Sequence, residues 1–101
     1  MKQVHVPDFL WTEVLLAADW YEAQSAGLAA DLVDEINRVL TNIGENPLQY
    51  PVVGSSIRRA RTKRFHYGIF FAIDPDVIRV IQIQDLRQSP THWEKRIPKK
   101  K

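Results

Sequence analysis

The sequence predicts an α+β fold in which two helices precede a set of antiparallel strands. Apolar residues recur every three or four positions from Leu10 to Ile43, the period of a helix face, and every second position from Phe65 to Ile73, the period of a strand. A turn sequence, Asp74-Pro75-Asp76, then separates that alternation from a β-branched run over residues 77–83.

Each element follows in order. Val4 and Val6 flank His5 and mark a short N-terminal edge strand that Pro7 ends. Pro7 suits the first turn of a helix, and Asp8 either caps that turn or favours the positive end of its dipole. Leu10, Val14, Ala18 and Tyr21 line one face of this helix, and Gly27 is expected to end it in the left-handed conformation. Leu28, Leu32, Ile36, Val39 and Ile43 repeat on a second helix, with Asp31, Asp34, Glu35 and Arg38 between them, so the pair reads as an αα-hairpin. Gly44, Asn46 and Pro47 are expected to terminate it, and the stretch up to Ser56 holds Pro51 and Gly54 without a helical period. Residues 57–61, 65–73 and 77–83 predict an antiparallel meander of about three strands, to which the N-terminal strand adds as an edge. Pro90 opens a short C-terminal helix around Trp93, and residues 98–101 form a frayed tail. No internal repeat or linker divides the chain, so residues 1–101 are expected to form one domain.

Composition bounds the function classes. A chain of 101 residues, 45% hydrophobic and 26% charged, can bury one core and not two. Cysteine is absent, which removes disulfides and thiolate zinc sites and fits a reducing cytoplasm. Residues 1–7 lack an apolar export segment, and nowhere do roughly eighteen apolar residues run together, so neither secretion nor membrane spanning is expected. The net charge of +2 hides a division: residues 1–54 carry two Lys and Arg against eight Asp and Glu, whereas residues 55–101 carry twelve against four. That asymmetry points to a polyanionic or acidic partner for the C-terminal half, unless the two halves neutralise each other.

The basic charge is densest at Arg58-Arg59-Ala60-Arg61-Thr62-Lys63-Arg64, where five of seven residues are cationic. On a twisted strand such density concentrates positive potential on which phosphates would displace counterions. Phe65 and Tyr67 follow directly and could stack on bases, although their register with Ile69 and Phe71 makes them core residues first.

Several short phrases stand in a particular order. Asp19-Trp20-Tyr21-Glu22, Gly27-Leu28, Asn46-Pro47 and Tyr50-Pro51 come first; then Arg58-Arg59 and Arg64-Phe65-His66-Tyr67; then residues 78–84, Arg87, Pro90 and Trp93. Together they resemble the RelE/ParE superfamily of toxins over nearly the whole chain: its two-helix segment and exit loop, its first basic strand, its Arg-Phe-Pro-Tyr strand start, and its His-x-x-Arg-x-Pro-x-x-Trp close.

The resemblance implies a RelE/ParE-like αα-hairpin packed on a twisted antiparallel β-sheet. It also implies the toxin of a type II toxin–antitoxin system of the plasmid stabilization kind. Such a protein inhibits growth until a cognate antitoxin, encoded beside it, wraps around it, and it reaches operator DNA only through that antitoxin. Family members divide between inhibitors of DNA gyrase and ribosome-dependent mRNA endonucleases. Gln84 stands where many relatives have histidine, and a carboxamide cannot exchange a proton near neutral pH, which favours the ParE-like branch. The interval from Arg87 to Pro90 is one residue longer than the usual phrase, and His66 replaces the proline before Tyr67. By the same resemblance, Arg59, Arg64 and Arg87 occupy the catalytic, phosphate-binding positions, and Arg58, Arg61, Lys63, Tyr67 and Gln84 the substrate-binding ones, with no metal and no cofactor. A RelE-like endonuclease would need Lys63, Tyr67 or His92 for proton transfer, since arginine makes a poor base. A third reading is a homologue that binds antitoxin without toxicity.

Other chemistry finds less support. His5, His66 and His92 lack any metal-ligand spacing, and Gly54-Ser55-Ser56 is neither a phosphate-binding loop nor a nucleophile elbow. The acids of the second helix are spaced as a solvated face; Trp11 and Trp20 cover the hairpin or a partner contact, and Trp93 is expected to anchor the last helix on the sheet.

Overall fold

The computed structural model describes residues 2–87. Pro7, at φ −57°, leads into helix α1 (Asp8–Gln24), with Asp8 in the first turn, where its charge faces the dipole and its side chain makes no capping bond. Leu10, Val14 and Ala18 are the buried residues of α1, as their spacing requires. The helix ends before Gly27: Ser25 turns extended, and Gly27, at φ +94°, is instead the left-handed residue that starts helix α2 (Leu28–Glu45). The Glu22 carboxylate reaches across this corner to accept the N–H groups of Gly27 and Ala29, each at 3.0 Å. The end of one helix thus caps the start of the next, and those two bonds hold Glu22 below the usual carboxylate range. Leu32, Ile36, Val39, Leu40 and Ile43 bury one face of α2, which continues through Gly44 and stops at Asn46.

Beyond a 3₁₀ turn at Pro47–Gln49 the chain builds a five-stranded sheet from β1 (Val4–His5), β2 (Val52–Gly54), β3 (Ile57–Arg61), β4 (Tyr67–Ile73) and β5 (Ile78–Asp85), in the order β1-β5-β4-β3-β2. The fold class is α+β, but the sheet departs from expectation in two ways. The meander has four strands instead of three, because β2 pairs antiparallel with β3 across Ser55 and Ser56, both at positive φ. Three residues beside a proline are too few to display a period of two. The sheet is also mixed, since the N-terminal edge strand runs parallel to β5, pairing Val4 with Ile78 and His5 with Arg79. In addition, β4 starts at Tyr67, two residues after the alternation begins, because Phe65 and His66 are left-handed at φ 71° and 55°. The helix predicted around Trp93 and the tail at 98–101 lie outside the described residues.

Both sheet faces carry an apolar cluster. Ala60, Tyr67, Ile69, Phe71, Ile78, Val80 and Ile83 meet α1 and α2 in the main core, while Ile57, Phe70 and Ile81 form a smaller cluster with Val53, Ala72 and Leu86. A bulge makes this possible: Phe70 pairs with Gln82 and Phe71 with Val80, so Ile81 is an extra residue turned into the second cluster. Burial on two faces explains why residues 77–83 read as an almost continuous apolar run and not as an alternation. Among the described residues, no helix is long and apolar enough to cross a membrane.

Candidate functional site

Successive side chains of a strand leave on opposite faces, and this divides the basic segment. Arg58 pairs in register with Phe71 and so lies on the helix side, where its Nη1 donates to the Tyr50 carbonyl at 2.6 Å and ties β3 to the exit of α2. Arg59 and Arg61 pair with Phe70 and Gly68 on the other face. Arg59 is half-buried, and its Nε finds no hydrogen-bond partner among the described residues. Burial, with the neighbouring Arg61 charge, lowers the pKa of its guanidinium. Gln84, also opposite Gly68, is buried at 6% exposure on that same face. A single cationic strand was expected, whereas the structure places Arg58 apart from Arg59 and Arg61.

The turn between β3 and β4 carries Lys63 and Arg64 away from both. Thr62 closes it, donating its N–H to the Tyr67 carbonyl and accepting the Tyr67 N–H at its hydroxyl, both at 2.9 Å. Within it, the left-handed backbone of Phe65 and His66 costs on the order of 1–3 kcal/mol per residue and persists only where its surroundings hold it. Those surroundings come from the ends of β3 and β5 and from α2: the Thr62 hydroxyl donates to the Arg64 carbonyl, the Leu86 N–H donates to the His66 carbonyl at 2.8 Å, and the Glu35 carboxylate accepts the backbone N–H groups of Lys63 and Arg64 while it pairs with Arg38 Nε at 3.0 Å. Arg38 first, and the two amides after it, bring the Glu35 carboxyl down to about 2. The Arg64 guanidinium stands 3.5 Å from Asp31 and 5.1 Å from the Phe65 ring centre. Acids of the first half therefore neutralise part of the basic segment inside the molecule.

What the fold does bring together is Arg61, Tyr67 and Arg87. Arg87 follows β5 and donates to Asp85 through Nε at 3.0 Å and Nη2 at 2.8 Å, and to the Tyr21 hydroxyl at 3.1 Å. Asp85, through its hydrogen bonds, raises the Arg87 pKa, and Arg87 in turn holds the Asp85 carboxyl low. Two clefts share Tyr67 and Arg87 as lining. One, of about 260 Å³, is completed by Arg61, Thr62, His66 and Leu86. The other, of about 320 Å³, is completed by Ala17, Trp20, Tyr21 and Asp85. Burial first, then Tyr21 and Asp85, push the Tyr67 phenol up to about 12, so it remains protonated at neutral pH.

Sequence reasoning did not place His66, Tyr21, Asp85 or Glu35 in this site. His66 was read only as a departure from a motif, and Tyr21 only as a core position of a helix. Asp85 and Arg87 two residues apart at a strand end were a usable sign, since such a pair can close on itself once the strand stops. Nothing in the spacing connects Glu35 to Arg64, twenty-nine residues on. Among the described residues no three His, Asp or Glu side chains gather where they could hold a metal ion. In comparisons with known proteins, the chain matches no family model, no curated protein and no solved structure.

Proposed function

We propose that this chain is the toxin component of a type II toxin–antitoxin pair, of the ParE-like kind. It acts in the cytoplasm by binding a protein target such as DNA gyrase, and a cognate antitoxin neutralises it. The observation that carries the binding mode is the chemistry of the paired clefts. Arg61 and Arg87 supply positive charge, but Tyr67, with its phenol near 12, is unable to accept a proton at neutral pH, and Arg87 is already engaged by Asp85. The expected site residues that line the clefts bring charge and no base, which suits recognition better than cleavage. The exposed apolar side chains of α1, among them Leu16 at 66% and Trp20 at 60%, support a protein partner. Membership of the toxin class rests on the ordered phrases in the sequence and is supported by an αα-hairpin seated on one face of a sheet.

A second reading, a RelE-like ribosome-dependent mRNA endonuclease, is favoured by one observation: His66 lines the same cleft as Arg61 and Arg87, and an imidazole can move a proton. Expression of the chain without antitoxin tests both. Filamentous cells that fail to segregate chromosomes are the result expected for gyrase inhibition. Arrested protein synthesis with cleaved transcripts supports the nuclease, and unimpaired growth removes both in favour of an antitoxin-binding homologue.

A further inference from the structure

We infer that Glu35 is the positioning residue of the Arg87 site, acting from α2 through the β3–β4 turn and Tyr21. The consequence for activity rests on the proposed toxin reading; the geometry does not.

The Glu35 side chain is only 12% exposed and holds the turn at two successive backbone amides, those of Lys63 and Arg64, while Arg38 fixes the carboxylate from the helix side. An α2 residue with those contacts sets where the turn sits. The next residue of the turn, Phe65, meets the Tyr21 ring edge-on at 5.0 Å between centres. Tyr21 in turn accepts the Arg87 Nη2 hydrogen bond at 3.1 Å. Asp85 holds Arg87 from its own strand end, but Asp85 and Arg87 lie two residues apart and could swing together. Tyr21 is the contact that fixes the pair relative to the helices, and Phe65 is the ring that packs against Tyr21 on the turn side. Removing the Glu35 carboxylate frees two amides in a segment whose left-handed backbone has to be held in place, and the displacement is carried ring by ring to Arg87.

The test compares wild type with Glu35→Ala, Glu35→Gln and Arg38→Ala by nitrogen-15 NMR and by growth inhibition on expression. In Glu35→Ala the amides of Lys63 and Arg64 should exchange about tenfold faster or more. The Arg87 Nε–H signal should shift, and growth inhibition should fall by about tenfold. Glu35→Gln keeps an oxygen for the two amides, which share one oxygen of Glu35, but loses the ionic pairing with Arg38, and should fall between. Arg38→Ala, which leaves the carboxylate but removes its clamp on the helix side, should shift the Arg87 signal in the same direction by less than Glu35→Ala. An Arg87 signal unmoved in Glu35→Ala overturns the inference. If that variant does not fold, Glu35→Asp, whose shorter side chain draws the carboxylate away from the turn amides, decides in its place, and a wild-type Arg87 signal there overturns it equally. A wild-type chain that fails to inhibit growth removes the toxin reading alone, because the NMR comparison still decides whether Glu35 positions Arg87.

Discussion

At the scale of single residues, the cations differ in what they do, although the sequence presents them as one run. Arg58 bonds a carbonyl and Arg64 faces Asp31, whereas Arg61 and Arg87 line a cleft. Arg87→Ala is therefore expected to reduce growth inhibition by about tenfold or more, with a melting temperature close to wild type, because exposed ion pairs contribute little stability. Arg64→Ala should have the smaller effect of the two; equal loss would return Arg64 to the centre of the site. Tyr67→Phe separates binding from cleavage, since a phenol that never ionises is not missed as a base. Inhibition within about twofold of wild type is expected, and near-complete loss of transcript cleavage would instead favour the nuclease. The Glu35 carboxyl, lowered from 4.5 to about 2, stabilises the fold above pH 4.5, and that contribution is lost as pH falls from 4.5 toward 2. Glu35→Gln should accordingly show a flatter stability profile across that window in denaturation at stepped pH.

At the scale of elements, two glycines separate backbone from packing. Gly27 has open space around the position of a Cβ but sits at φ +94°, so Gly27→Ala should cost about 1 kcal/mol through backbone strain alone. Gly68 has the opposite problem: a Cβ there would stand 2.7 Å from Leu86 Cδ2 and 3.2 Å from the Phe70 ring. Leu86 also lines the cleft with Arg61 and Arg87. Gly68→Ala should destabilise by about 1–3 kcal/mol in urea titration and disturb the cleft together with the strand, while Leu86→Ala in the same chain restores much of the loss. Legibility also varied by element. The two helices and β4 announced themselves because an apolar face imposes its period over many residues. β2 had three residues in which to do so, and the left-handed turn at Phe65 and His66 carries side chains that ordinarily avoid that conformation, so neither had a local signature. The candidate site was half legible for the same reason: Arg61, Tyr67 and Arg87 lie on or beside strands that could be read, with Asp85 two residues from Arg87, but Tyr21 and Glu35 were brought there by packing.

At the scale of the whole molecule, the division of charge into an acidic and a basic half is partly an internal arrangement. Asp31 of α2 meets Arg64 and Asp85 meets Arg87, so the positive charge left for a partner lies nearer Arg61 than the bare sequence implies. The main core, centred on Phe71, Ile69 and Ile36, joins both helices to the sheet in a single cluster. Phe71→Ala should cost about 3–5 kcal/mol and abolish function by unfolding, in contrast to the surface changes above. The parallel pairing of Val4 with Ile78 has a temporal side as well. Of the described strands, β1 is made first and its partner β5 last, so β1 has to wait while the helices and the meander assemble. A substitution in β1 that hinders that docking would leave the β5 edge open to pairing between molecules.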